Sequence, residues 1–239
     1  MIHHDLTNRS SKHALMTRAE FTKLIDHTAL KPETTKDEIR RLCEEAGTFG
    51  FGAVCVAPLW VPFAARCLAG SPVRIATVIG FPHGNTLPDV KAYEAKLAIE
   101  AGAHELDMVL QIGLLRAGNH GGVRDDIQGV VNVAHRALPS KVLVKVILEI
   151  SLLNKEEQQI GCQLAEKAGA DFVKTSTGFS GSTTTIEDVA FLRGMVGNRL
   201  GVKAAGGIRD LVTAITFINA GASRLGSSSS VSIMHMWPS

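Results

Sequence analysis

The feature that most constrains this sequence is a regular alternation of short, apolar, β-branched runs with longer amphipathic stretches. The short runs predict buried strands, and the longer stretches, such as TKDEIRRLCEEAG at 35–47, repeat apolar residues at helical spacing. The predicted strands lie at 24–28, 53–58, 74–81, 104–110, 141–149, 171–177, 201–207 and 223–228. Strands that are separated by helices are joined by right-handed crossovers, which produce a parallel sheet covered by helices.

The number of these units predicts the fold. About eight βα units in 239 residues are typical of an α/β protein that forms a single (β/α)8 TIM barrel. The same pattern leaves a doubly wound open sheet as the alternative. Because no linker rich in proline, serine or charge divides the chain, we expect one barrel domain at 21–239, preceded by a flexible N-terminal extension at 1–20.

Composition and charge exclude several classes of protein. The net charge of +2 argues against a nucleic-acid partner, and no apolar run reaches the ~18 residues that a membrane helix requires. The four cysteines form neither a CxxC pair nor a zinc pattern, so we expect reduced thiols, a cytoplasmic location and no metal site. Helix faces rich in Ala and Leu permit a homodimer.

Three predicted strands carry a lysine within an apolar run: Lys145 in LVKVIL, Lys174 in DFVKTST and Lys203 in GVKAAGG. A single strand lysine is as easily an edge or surface residue, but three in successive barrel strands would converge on one opening. Neighbouring ammonium groups lower each other's pKa, and an unprotonated lysine attacks a carbonyl to form a Schiff base. The pattern therefore indicates aldolase chemistry, without deciding which lysine is the nucleophile.

Such chemistry also requires an acid–base group. Asp107 alternates with apolar residues in HELDMVL and shares its strand face with Glu105 and Val109. Asp26 holds a similar position in the first strand, where a hydrogen-bonded cap or a salt bridge to one of the lysines is a nearly equal alternative.

Two glycine-rich turns predict a phosphate site. Gly206 and Gly207 follow the strand of Lys203, and Gly226 precedes a serine run at 227–230. Backbone N–H groups in such turns bind dianions, and barrels often hold phosphate after strands seven and eight. The alternative interpretation is that these turns only connect strands and cap helices. With the lysines, they suggest a phosphorylated carbonyl compound as the substrate.

These residues resemble the deoxyribose-phosphate aldolases from about Phe21 to Met234. The matching motifs occur in the order and spacing of that family: LIDHTALKP, VCVAP, ATVIGFPHGN, ELDMVL, VLVKVILE, GADFVKTSTGF, VKAAGGIR and GSSSS. The resemblance implies reversible cleavage of 2-deoxy-D-ribose 5-phosphate to D-glyceraldehyde 3-phosphate and acetaldehyde by a lyase that needs no cofactor or metal.

The resemblance also assigns roles to individual residues. It implies that Lys174 forms the Schiff base, that Lys203 lowers its pKa, and that Asp107 and Lys145 relay protons through water. The substrate- and phosphate-binding residues expected on this basis are Asp26, Thr175, Gly178, Gly206, Gly207, Gly226, Ser228 and Ser229.

Two departures and two alternative functions accompany the resemblance. Some members have a lysine where Phe179 stands and a tyrosine in the C-terminal tail, whereas VSIMHMWPS contains none. An isomerase acting on a sugar phosphate would also use the glycine-rich turns but would leave the three strand lysines unexplained. A catalytically silent phosphate binder is the second alternative.

Overall fold

The computed structural model describes residues 16–137 and 141–238. Seven of the predicted runs each contain one strand that is two to four residues shorter than predicted, and the first strand lies one residue later than predicted, at 25–29 instead of 24–28. The strands are β1 (Ile25–Ala29), β2 (Ala53–Val56), β3 (Arg74–Ile79), β4 (Glu105–Val109), β5 (Leu143–Ile147), β6 (Phe172–Lys174), β7 (Gly201–Ala205) and β8 (Arg224–Ser227).

The described strands form a closed parallel barrel in the order β1 to β8. Closure comes from parallel pairing of β1 with β8, in which Asp26 lies opposite Gly226 and Ile25 opposite Leu225. The (β/α)8 barrel prediction is confirmed, and the open-sheet alternative is wrong because this pairing leaves no sheet edge.

Helices connect the strands and surround the barrel. Capping boxes at Thr35 and Asn154 start two of them, because each side chain accepts from the backbone N–H three residues on and the Glu at that position reaches back. The helices of the described residues are α1 (Arg18–Lys23), α2 (Lys36–Phe49), α3 (Val61–Cys67), α4 (Pro88–Glu100), α5 (Ile112–Arg116), α6 (His120–His135), α7 (Lys155–Lys167), α8 (Ile186–Val196), α9 (Leu211–Asn219) and α10 (Ser230–His235).

The first helix begins inside the predicted N-terminal extension. Thr17 caps α1 at Arg18, and Phe21 is fully buried with its ring 4.9 Å from that of Trp237. Residues 18–20 therefore form part of a helix attached to the barrel. Residues 1–15 of the extension lie outside the described residues, so the domain boundary stays a prediction.

Apolar side chains occupy two separate regions. The larger lies between the strands and the helices, and it includes Val54, Leu106 and Val146 from the barrel's outer face. Inside the barrel, the buried side chains of Cys55, Ala76 and Val78 form a smaller apolar cluster, against which Leu30 and Phe81 pack. The small interior residues leave room for long charged side chains from the opposite strands.

None of the described helices is long and apolar enough to cross a membrane.

Candidate active site

The three strand lysines converge inside the barrel. Lys145, Lys174 and Lys203 lie on β5, β6 and β7, and all three are almost completely buried. Strand register explains the convergence, because Lys174 pairs with Lys203 across β6 and β7, and Lys145 pairs with Asp107 across β4 and β5. Side chains of paired residues in neighbouring parallel strands point to the same face of a sheet.

Asp107 is the common partner of these lysines. One carboxylate oxygen, Oδ1, accepts from Lys145 Nζ at 2.7 Å, and Oδ2 accepts from Lys174 Nζ at 2.8 Å and from Lys203 Nζ at 2.7 Å. The acid–base residue inferred from the strand pattern thus contacts every candidate nucleophile directly.

A second set of ion pairs surrounds this centre. Asp26 accepts from Lys203 through Oδ2 and from Arg224 through Oδ1 at 2.6 Å. Glu105 binds Lys145 at 2.7 Å and Arg224 at 3.1 Å. The salt-bridge interpretation of Asp26 is therefore the one that the contacts favour.

Arg224 and Glu105 are functional candidates that the sequence reasoning did not select. A signal was present for both, since side chains alternate along a strand. Glu105 lies two residues before Asp107, and Arg224 two residues before Gly226, so each shares its neighbour's inward face. We call the seven ionisable residues the charge cluster: Asp26, Glu105, Asp107, Lys145, Lys174, Lys203 and Arg224.

The charge cluster contains four basic groups and three carboxylates. With all seven ionised it carries one positive charge, which is one proton more than neutrality requires. Burial acts to raise the pKa of Asp107, but the positive charges of Lys145, Lys174 and Lys203 outweigh it and hold that pKa well below its usual range. Asp26 also has a lowered pKa, since Lys203 and Lys145 oppose the effect of burial. Both carboxylates are therefore ionised.

The excess proton is held least tightly at Lys174. Burial lowers the pKa of Lys174, Asp107 raises it, and the positive charge of Lys203 lowers it again, with a net decrease. In contrast, Asp107 and Asp26 overcome burial and raise the pKa of Lys203, and Asp107 with Glu105 does the same for Lys145. Of the three strand lysines, Lys174 is thus the one whose pKa is lowered, and burial is the first cause.

A cavity of about 550 Å³ opens above this lysine at the carboxyl ends of the strands. Lys174 and the glycine-rich turns after β7 and β8 line it together. The lining residues are Thr28, Ala29, Leu30, Lys31, Thr34, Glu38, Lys174, Thr177, Gly178, Phe179, Ala205, Gly206, Gly207, Ile208, Arg209, Gly226, Ser227 and Ser228. Of the predicted binding residues, this set includes Gly178, Gly206, Gly207, Gly226 and Ser228.

Three predicted binding residues lie elsewhere. Asp26 is in the charge cluster below the cavity floor. The Thr175 hydroxyl is buried and bonded to the backbone of β7, accepting from Ala205 N and donating to Ala205 O at 3.0 Å. Ser229 is not a lining residue, and its N–H donates to Ser227 Oγ. Asp26, Thr175 and Ser229 therefore do not line the cavity, and their contacts are with residues around it.

Close packing explains the glycines of the two turns. Gly207 has a φ of 83°, and a Cβ there would meet Thr183 Cγ2 at 2.7 Å. A Cβ at Gly226 would lie 3.1 Å from Lys203 Cε. We call Gly206, Gly207, Gly226 and Ser228, which line the cavity and are predicted to bind phosphate, the phosphate cradle.

Comparisons with known proteins agree with this geometry. Residues 21–230 match the DeoC/LacD family aldolase profile. The deoxyribose-phosphate aldolase of Halalkalibacterium halodurans is 54% identical over 89% of this chain and 94% of its own length. That of a Geobacillus species is 55% identical over 89% and 93%. The tetrameric deoxyribose phosphate aldolase structure from Aeropyrum pernix aligns with a TM-score of 0.85 and 33% identity, over 92% of this chain and 91% of that one.

Proposed function

Because this chain belongs to the DeoC/LacD family of aldolases, we propose that it catalyses the reversible cleavage of 2-deoxy-D-ribose 5-phosphate to D-glyceraldehyde 3-phosphate and acetaldehyde. It is accordingly a lyase. The observation that carries the mechanism is a buried lysine of lowered pKa on the floor of a cavity, in contact with an ionised carboxylate.

In the cleavage direction, unprotonated Lys174 attacks the C1 aldehyde of the open-chain sugar phosphate. The resulting carbinolamine loses water to give an iminium ion. The C3 hydroxyl then gives up its proton, and the electron pair of the C2–C3 bond moves towards the iminium nitrogen. This step releases D-glyceraldehyde 3-phosphate and leaves an enamine, which is protonated at C2 and hydrolysed to acetaldehyde and free Lys174.

Asp107 and Lys145 serve the proton transfers in this scheme. Asp107 lies 2.8 Å from Lys174 Nζ and 2.7 Å from Lys145 Nζ, so it connects the nucleophile to a second ammonium group. The pKa shifts keep Asp107 ionised and Lys145 protonated, so the pair holds one proton acceptor and one proton donor, and water carries the protons between them and the reacting atoms. Lys203 keeps the pKa of Lys174 low through its positive charge.

The phosphate cradle binds the phosphorylated end of the sugar. Its turns line the same cavity as Lys174, and two exposed cationic side chains, Lys31 and Arg209, also line it. Backbone N–H groups with nearby cations suit a dianion, and binding remote from the reacting carbon orients the aldehyde. This arrangement supports a phosphorylated substrate.

The two alternative functions have weaker support. An isomerase would need one carboxylate base but has no use for three lysines on a single aspartate. A silent binder would need the cradle but not the charge cluster. No specific contact among the described residues favours either one.

Borohydride trapping with acetaldehyde, followed by peptide mass mapping, tests the mechanism. We expect a reduced ethyl adduct on Lys174 that requires borohydride, and none in a Lys174→Met variant. An adduct on Lys145 or Lys203 instead would retain the aldolase and overturn the assigned roles. A folded protein without any adduct would contradict the Schiff-base mechanism.

We infer a cytoplasmic location because the described cysteines, Cys43, Cys55, Cys67 and Cys162, are all free. The homodimer stays a prediction, which sedimentation of the purified protein would test.

A further inference from the structure

Glu149 adopts an unusual backbone conformation directly after β5. Its φ of 53° makes it the one non-glycine residue with a positive φ in the described part of the chain. Residues other than glycine rarely adopt a positive φ, because it strains the backbone, and such strain persists where surrounding contacts impose it. Glycine would relieve the strain, so the Glu149 side chain is the feature that needs an explanation.

The Glu149 carboxylate is buried and holds the loop that follows β6. Its Oε2 accepts from the Thr177 N–H at 3.1 Å and from the Thr177 hydroxyl, and its Oε1 accepts from the Ser180 hydroxyl at 3.1 Å. The Thr177 hydroxyl oxygen in turn accepts from Phe179 N–H at 3.1 Å. One carboxylate therefore organises residues 177–180, and hydrogen bonds to a charged acceptor are among the stronger ones.

The loop that Glu149 organises forms one wall of the active-site cavity. Thr177, Gly178 and Phe179 line it together with Lys174, whereas Glu149 does not. Glu149 thus acts on the cavity through other residues.

The same loop continues to the phosphate cradle. Ser180 and Ser182 hydroxyls are 3.0 Å apart, and Thr184 N–H donates to Gly206 O at 3.2 Å. A Cβ at Gly207 would collide with Thr183, which measures how closely this loop packs on the cradle turn. A continuous set of contacts therefore runs from Glu149 to the cradle.

We propose that Glu149 is a positioning residue that holds the 177–184 loop against the phosphate cradle and thereby sets the preference for phosphorylated over unphosphorylated sugars. The inference rests on the proposed aldolase function. The preference for phosphorylated sugars follows because the hydrogen bonds of Glu149 are separate from the ion pairs of the charge cluster. The charge cluster is held by ion pairs between strands, whereas the Glu149 carboxylate bonds to Thr177 and Ser180 of the loop.

The test compares two substrates in a Glu149→Ala variant. We expect the KM for 2-deoxyribose 5-phosphate to rise about tenfold, as for loss of one strong hydrogen-bonded contact. For unphosphorylated 2-deoxyribose, we expect kcat/KM to change less than about twofold, and the acetaldehyde adduct on Lys174 to form as in the wild type. Glu156→Ala, an exposed glutamate on α7, is the matched control.

Ser180→Ala removes one hydrogen-bond partner of Glu149 at an exposed position. This variant tests the proposal if circular dichroism shows that Glu149→Ala is unfolded. We expect the same selective rise in KM, about threefold. Equal losses on both sugars, or no change on either, would overturn the proposal. A wild-type protein that cleaves neither sugar would instead refute the proposed function, which separates the two failures.

Discussion

Replacing Lys203 with methionine tests the proposal that the positive charge of Lys203 lowers the pKa of Lys174. Both ammonium groups contact the same Asp107 oxygen, at 2.8 Å for Lys174 and 2.7 Å for Lys203. Two unit charges about 5 Å apart repel each other by about 3 kcal/mol at an effective dielectric constant of about 20. This energy corresponds to about 2 pKa units.

The variant also changes the charge balance of the cluster. Without Lys203, three basic groups face three carboxylates, so removing the proton from Lys174 would leave a net negative charge in a buried site. We therefore expect a higher pKa for Lys174 and, at pH values below it, a kcat/KM roughly 100-fold lower, because the unprotonated fraction falls tenfold per unit.

The assay is the pH dependence of kcat/KM for 2-deoxyribose 5-phosphate between about pH 5 and about pH 10. The acidic limb should move to higher pH by about 2 units in Lys203→Met. Lys167→Met, which removes an exposed lysine of α7, should leave the profile unchanged. An acidic limb at the wild-type pH in a folded Lys203→Met variant would refute the charge argument and leave burial as the cause of the lowered pKa.

Two further predictions concern stability. Lys91 and Asp126 form a fully buried ion pair at 2.6 Å between α4 and α6, so Asp126→Asn should lower the free energy of unfolding by about 3–5 kcal/mol in urea titrations. Asp125→Asn, which alters the exposed neighbour, should change it by less than about 0.5 kcal/mol, and equal effects would contradict the reasoning. Gly194 lies inside α8, where an added methyl group would come within 4 Å of no neighbouring atom of the described residues. Gly194→Ala should therefore raise the melting temperature in thermal unfolding, through about 0.5–1 kcal/mol of stabilisation.

Much of the fold follows from local sequence patterns. Hydrophobic periodicity depends on neighbouring residues only, so the eight strands were predictable. The capping boxes at Thr35 and Asn154 are local patterns as well, since each joins the cap residue to the Glu three residues on. The convergence of Lys145, Lys174 and Lys203 was predictable too, because closing a barrel directs the ends of its strands to one opening. The family motifs around each lysine added the assignment of Lys174, which the pattern alone left open.

The tertiary structure decided the electrostatics. Asp26, on β1, meets Arg224, on β8, only because barrel closure pairs the first strand with the last. The pKa of Lys174 depends on distances to groups on other strands, and no local pattern contains those distances. The same holds for Glu149, whose partners lie about thirty residues away in the loop after β6.

The sequence by itself therefore determined the eight strand–helix units and the identity of the strand lysines, since both arise from periodicity and strand order, whereas the pairing of β1 with β8 distinguished the barrel from an open sheet. Only the tertiary structure shows which groups shift the pKa of Lys174 and which loop the Glu149 carboxylate holds. The physical reason is that Coulomb energies and hydrogen bonds vary over a few ångströms. Those separations are set when distant strands pack together, as they do around Asp107.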